Sequence, residues 1–290
     1  MITLRYAAGS DVGRVRQGNE DAAYAGPRLL AVADGMGGHV GGEVASSAAI
    51  ATIAALDQEC PGDLAAAAEA GVRKANQRLR DLVKEDPTLT GMGTTLTLML
   101  WNGSRVALAH VGDSRAYLLR NGDLYQITYD HTLVQTLMDD GRITPEEAAR
   151  HPHRSILLQV LDGGDNLELD LSLRDAEVGD RYLLCSDGLS GVVDAVQLRH
   201  VLAEFDDLDE AIRQLIQLAC DAGGPDNITC VVADVVEGPA VDSPVVVGSA
   251  ALPKRARPFL SGPGRSSRAA PSPPRGTAAP RGAPFAGRVG

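Results

Sequence analysis

Four aspartates recur in one kind of setting. Asp34 follows the run Leu-Leu-Ala-Val-Ala, Asp113 follows Val-Ala-Leu-Ala-His-Val-Gly, Asp187 follows Tyr-Leu-Leu-Cys-Ser, and Asp226 stands just ahead of Ile-Thr-Cys-Val-Val. Each therefore lies at the mouth of an apolar, strand-like segment. Three sit among glycines, in Asp34-Gly35-Met36-Gly37-Gly38, Gly112-Asp113-Ser114 and Asp187-Gly188, where the backbone can turn sharply and approach a ligand closely. Taken singly, each is an ordinary Asp-Gly turn; recurrence at four strand ends is what points to a site. Carboxylates gathered there would repel one another, and some would stay protonated unless cations were present. Oxygen donors without a His or Cys cluster favour magnesium, manganese or calcium over zinc, so a pair of hard divalent cations is expected.

Nearer the amino end, the stretch from Gly13 to Asp21 sets Arg16 four residues ahead of the carboxylate pair Glu20 and Asp21. The planar guanidinium fork matches the oxygens of a phosphate. Arg14 is the local competitor for that role.

These residues need strands to hold them. Runs rich in β-branched and apolar residues predict strands at 29–33, 94–101, 106–111, 116–120, 124–128, 167–173, 182–186 and 228–236, and Asn121-Gly122 marks a tight hairpin. Helical periodicity over 42–56 and 64–83, then over 195–204 and 208–222, predicts helices in pairs. That order does not fit a regular βαβ array; it predicts antiparallel sheets flanked by helix pairs. The polar, turn-rich stretch 139–165, with Pro145, Pro152 and Gly163-Gly164, is expected to form a flap that helps choose substrates.

Composition narrows the function. With 290 residues and 44% hydrophobic side chains the chain can build one large core. The net charge of −11 is uneven, because 239–290 carry eight Lys/Arg against Asp242 alone. An acidic body argues against a nucleic-acid surface. Cys60, Cys185, Cys220 and Cys230 show neither C-x-x-C spacing nor the density of a disulfide framework, and are read as reduced and mostly packed. No window is apolar enough to span a membrane and the first ten residues lack a signal-peptide pattern, so a cytoplasmic protein is expected, with a monomer as the default. Residues 1–238 are expected to form the catalytic domain, and 239–290 a disordered basic tail rich in Pro, Gly, Ser, Ala and Arg.

The sequence resembles the metal-dependent protein phosphatases of type 2C in their bacterial form. The resemblance rests on Arg16-x-x-Asn19-Glu20-Asp21, Ala33-Asp34-Gly35-Met36-Gly37-Gly38, Gly93-Thr94-Thr95, Gly112-Asp113-Ser114-Arg115, Ser186-Asp187-Gly188-Leu189 and Gly224-x-Asp226-Asn227-Ile228-Thr229, in this order across most of residues 5 to 235. It implies an α+β fold, a four-layer α-β-β-α sandwich with the metals in a cleft at one edge. It also implies hydrolysis of phosphoserine and phosphothreonine in proteins by a water bridging two Mn2+ or Mg2+ ions, countering bacterial serine/threonine kinases. The alternative is a weakly active or inactive relative that regulates by binding phosphoproteins or kinases. By resemblance, Asp34 bridges the ions, the Gly35 carbonyl serves one, Asp187 and Asp226 serve the other, Glu20 holds a metal-bound water and Asp21 supports from behind. A third, weaker metal falls to Asp113, Asp187 and Ser155. Arg16, with the family's spacing, is preferred to Arg14 as the phosphate clamp. Many eukaryotic relatives place a proposed general-acid histidine where this chain has Met36, which leaves leaving-group protonation unassigned. His131, His151 and His153 are read as solvated flap residues, His39 as a turn residue and His110 as a packed core histidine.

Overall fold

The strands read as unbroken apolar runs because their two faces feed two different cores. Along the second and third strands Ala22, Tyr24, Leu29, Ala31 and Ala33 turn one way, into a core shared with helices. Ala23, Ala25, Leu30 and Val32 turn the other way, into a core between sheets. Alternate side chains of a strand point to opposite faces, and burial of both leaves no polar positions in between.

The structure is a computed structural model that describes residues 1–37, 41–58, 61–239 and 243–251. In chain order the strands are β1 (Ile2–Asp11), β2 (Asp21–Ala25), β3 (Leu29–Met36), β4 (Gly93–Thr94), β5 (Leu96–Trp101), β6 (Arg105–Val111), β7 (Arg115–Arg120), β8 (Asp123–Gln126), β9 (Asp170–Asp175), β10 (Arg181–Cys185), β11 (Ile228–Glu237) and β12 (Val245–Gly248). The helices are α1 (Gly41–Ile53), α2 (Leu64–Glu85), α3 (Leu133–Asp139), α4 (Pro145–Ala149), α5 (Asp187–Ser190), α6 (Ala195–Glu204) and α7 (Leu208–Asp221). One antiparallel sheet runs β1-β11-β10-β7-β8; the other runs β12-β2-β3-β5-β6-β9, with β4 paired to β3. Helices α1 and α2 cover the second sheet and α6 and α7 the first, giving the expected four layers. Each outer core is deep: Leu79 of α2 and Leu215 of α7 are fully buried, and truncating such a leucine to alanine costs about 2–5 kcal/mol.

Local chemistry sets the boundaries. Asp63 caps α2 by accepting from the Ala66 amide, and Asp194 with Gln197 forms a capping box at α6. Asn121 (φ 54°) and Gly122 (φ 85°) make the β7–β8 hairpin that the dipeptide predicts.

Several elements differ from the sequence reading. The run 94–101 is broken between β4 and β5, because Thr95 spends its backbone and hydroxyl on Asp34. The run at 167–173 pairs later, as β9. β1 and β2 were not predicted; β2 is short and alanine-rich, with weak strand propensity of its own. The stretch 139–165 holds one short capped helix, α4, and follows another, α3. Residues beyond 238 do not all fall outside the packed body, since β12 pairs with β2. The tail from 252 onward, His39 and Cys60 lie outside the described residues. Cys185, Cys220 and Cys230 are free and buried, as expected.

Candidate metal centre

Strand ends from both sheets bring the carboxylates to one edge of the sandwich. Asp34 lies near the end of β3, where its amide donates to Thr95 Oγ1 (2.9 Å) and its carbonyl accepts from the Thr95 amide (2.9 Å). Gly35 follows because nothing larger fits: a Cβ there would run into the carbonyl oxygens of Gly42 and Glu20. Asp113 leaves β6 through Gly112 (φ 110°), whose carbonyl accepts from the His131 amide (2.8 Å) and whose amide donates to His131 Nδ1 (3.1 Å). Asp187 opens α5 directly after β10, and Asp226 sits two residues before β11.

The loop carrying Arg16 and Glu20 is fixed by Asn227. Its Oδ1 accepts from the Glu20 amide (2.8 Å), and its Nδ2 donates to the carbonyls of Val12 (2.9 Å) and Gly18 (2.9 Å). Arg16 thereby reaches Asp226, with Nη2 donating to Oδ2 at 2.7 Å. Beneath the cluster lies Asp21, 1% exposed. It faces Asp34 across β2 and β3 and accepts from Ser186 Oγ (2.7 Å).

The electrostatics show how close these groups are. Burial, then repulsion from Asp21, Asp187, Asp113 and Asp226, holds the Asp34 carboxyl well above the usual range. Asp113 is pushed up to about 7 by burial and then by Asp187 and Asp130. Asp21 is pushed up to about 7 by burial against the relief given by Ser186 and Thr229. Asp187 is raised by burial and Asp226, and Glu20 by burial, with Arg16 opposing. Burial pulls the Arg16 guanidinium down, but Asp226 outweighs it and the group is raised overall.

One atom tests whether cations fit. Asp187 Oδ1 is buried and has no hydrogen-bond partner, an arrangement that costs about 1–3 kcal/mol if nothing compensates it. An unpartnered carboxylate oxygen amid mutually repelling carboxylates is what a hard divalent ion would satisfy, and the donors are oxygens throughout. Among the described residues, no group of three or more His, Cys, Asp or Glu side chains is already placed to hold a metal ion. In donor type the residues fit such ions.

The family model for protein phosphatase 2C matches residues 13–137. The serine/threonine phosphatase Stp of Listeria welshimeri is 37% identical over 235 residues, covering 78% of this chain and 93% of that protein. The chain belongs to the protein phosphatase 2C family. The serine/threonine protein phosphatase PstP of Mycobacterium tuberculosis is 55% identical over 237 residues, covering 81% of this chain but 46% of that protein. The chain thus matches about half the length of this relative. A crystal structure of the M. tuberculosis phosphatase superposes with a TM-score of 0.79 at 54% identity, over 81% of this chain and all of that one. A structure of the PstP catalytic domain in complex with two manganese ions gives 0.77 at 53% identity, over 82% of this chain and all of that one.

Within this phosphatase 2C framework the structure brings together Arg16, Glu20, Asp21, Asp34, Gly35, Asp113, Asp187 and Asp226. Ser155 is exposed on the flap. His131 is not the solvated flap residue of the sequence reading. It is packed against Gly112, its ring lies tilted at 43° to His110 with centroids 4.9 Å apart, and its Nε2 faces Asp170 Oδ2 at 3.3 Å. His110 is the buried core histidine expected, with its ring nitrogens at 2.9 Å from Thr97 Oγ1 and from the Tyr129 carbonyl. Sequence reasoning missed Asn227 and the Ser186–Asp21 bond as positioning contacts. Asn227 stood inside a quoted motif, but its partners are more than 200 positions away.

Proposed function

We propose that the chain is a metal-dependent protein phosphatase that hydrolyses phosphoserine and phosphothreonine, using two Mn2+ or Mg2+ ions. The observation that carries this reading is the meeting of Asp34, Asp187 and Asp226 beside Arg16, with one carboxylate oxygen left unpartnered. Asp34 would bridge the ions, with the Gly35 carbonyl and Glu20 on one side and Asp187 and Asp226 on the other. Asp113 with Asp187, and Ser155 from the flap, would hold a weaker third ion. Bound there, the ions supply Lewis-acid charge and an acidified water as nucleophile.

The chain's own residues do the rest. Arg16 is exposed enough to exchange Asp226 for a phosphate, fixing the phosphorus in front of the carboxylate cluster. Asn227 holds the Glu20 amide and the Gly18 carbonyl, so Arg16 and Glu20 move as one loop. His110 and His131 have their ring nitrogens engaged and are poorly placed to protonate a leaving group. The complete carboxylate set speaks against the alternative of an inactive binding protein. As natural substrates we propose phosphoproteins, among them serine/threonine kinases and their targets, met in the cytoplasm as part of signalling by a monomer. Among the described residues no helix is long and apolar enough to cross a membrane.

The test is hydrolysis of a phosphothreonine peptide with manganese, magnesium, calcium or chelator, comparing the full chain with Asp34→Asn. Turnover that needs manganese or magnesium and is lost in the variant is expected. A folded, manganese-binding wild-type chain without turnover on several phosphopeptides would sink the proposal.

A further inference from the structure

Beyond the domain boundary expected from sequence, the segment Val245–Ala251 packs directly behind the Glu20–Asp21 corner. β12 lies antiparallel on β2, with Val245 opposite Ala25 and Gly248 opposite Ala22. Gly248 takes φ 71°, and a Cβ there would strike the Asp21 carbonyl, so its backbone rests on the strand that carries Asp21. The following residue, Ser249, is 4% exposed and joins a chain of hydroxyls. Ser47 Oγ donates to Ser249 Oγ (2.9 Å), Ser249 and Ser46 share a hydrogen bond (3.0 Å), and Ser46 Oγ donates to the Glu20 carbonyl (2.5 Å).

The direction of this chain follows from proton counting. A serine hydroxyl has one proton to give. Ser46 has the Glu20 carbonyl as its shortest acceptor, against 3.1 Å to Gly42 O and 3.4 Å to Glu43 O. Ser249 must therefore donate to Ser46 and accept from Ser47. Among the described residues the Glu20 carbonyl has one further partner, the Gly35 amide at 3.2 Å, so the serine chain supplies its shorter bond. Buried hydroxyl chains polarise one another, and loss of one member weakens the rest.

We propose that the Gly248–Ser249 end of β12 serves the metal centre, with Ser249 a positioning residue that sets the Glu20 corner through Ser46. This rests on the reading of Glu20 as part of that centre. The segment acts from the side opposite Asn227, so Glu20 is gripped at its amide by one element and at its carbonyl by another.

The experiment uses the full chain with Ser249→Ala, with Ser47→Ala at the head of the hydroxyl chain, and with Val246→Thr as a control on the exposed side of β12. Amide hydrogen exchange at Gly35 is followed in chelator, and manganese affinity by water proton relaxation. Ser249→Ala is expected to speed Gly35 exchange and to weaken manganese binding by about tenfold, the lower end of the usual effect of losing an outer-shell partner. Ser47→Ala should do the same to a smaller extent, and Val246→Thr should do neither. Manganese affinity within twofold of wild type in Ser249→Ala overturns the proposal, even if the unfolding temperature falls, because a purely structural role would do only the latter. If wild type bound no manganese, the reading of the metal site would fail separately, and unchanged Gly35 exchange in Ser249→Ala would still overturn the positioning role of Ser249.

Discussion

Replacing Arg16 by alanine separates binding from folding. The arginine side chain is 49% exposed and its partner Asp226 31%, so solvent screening leaves the ion pair worth roughly 0–1 kcal/mol. In a domain of this size about 1 kcal/mol moves the unfolding temperature by about 2–4 °C, and the variant should melt within that range of wild type. Against a phosphate the same guanidinium makes charge-assisted hydrogen bonds, each worth about 1.5–3 kcal/mol. Releasing Asp226 to make them costs little. A net loss of about 2–3 kcal/mol corresponds to a fall of about 30–150-fold in kcat/KM. Steady-state kinetics on a phosphothreonine peptide in saturating manganese, beside thermal unfolding, read both quantities. Arg16→Lys keeps the charge without the fork and should recover part of the loss. An alanine variant with kcat/KM within threefold of wild type, or one that melts more than about 8 °C lower, would refute the reasoning.

Other perturbations probe the layers around the site. Asp187→Asn removes repulsion toward Asp34 and Asp226, so its metal-free form should melt above metal-free wild type. It should also lose the manganese-dependent gain, which for wild type is about 2.7 kcal/mol at a hundred times the dissociation constant; calorimetry with and without chelator checks both. Asp234, 8% exposed, accepts from Arg181 Nε (2.6 Å) and Nη2 (3.0 Å) and from Arg5 Nη2 (2.7 Å). Asp234→Asn strands the buried Arg181 and should cost about 3–5 kcal/mol in urea unfolding; a loss under about 1 kcal/mol would contradict that. Burial, helped by His131, pulls His110 down to about 4 from its usual 6.5. The unfolded chain therefore takes up a proton between pH 6.5 and 4 that the folded chain refuses. Stability should fall by about 3 kcal/mol across that window as pH drops, and His110→Gln should flatten this part of the wild-type profile.

What could be read from the sequence was what is local. Asp34, Asp113, Asp187 and Asp226 announce themselves because each stands beside an apolar run, three of them with an adjoining glycine, and α6 has the periodicity that its range 195–204 shows. What could not be read depends on register. β2 is Asp-Ala-Ala-Tyr-Ala, which says little until β3 and β12 lie on either side of it. Asn227 looks like a turn residue until the loop at 12–20 folds over it. His131 sits in a polar stretch and gives no sign that its ring will rest on Gly112. Ser249 follows a glycine in a stretch whose composition resembles the tail, and its partner Ser46 is 203 positions away.

The carboxylates come from different sheets: Asp34 and Asp113 from the β3 and β6 ends of one, Asp187 and Asp226 from the β10 and β11 ends of the other. Neither sheet alone carries a complete set, so a folding intermediate with a single sheet formed would have no site to fill. Closing the first sheet also requires β1 to meet β11, pairing Ile2 with Glu237, contacts far apart in sequence of the kind that slow folding; with the site closing only after that step, divalent ions should leave the refolding rate nearly unchanged and act on the unfolding limb alone. For a protein with this architecture, ion supply governs how long the folded state lasts and has little bearing on how quickly it is reached.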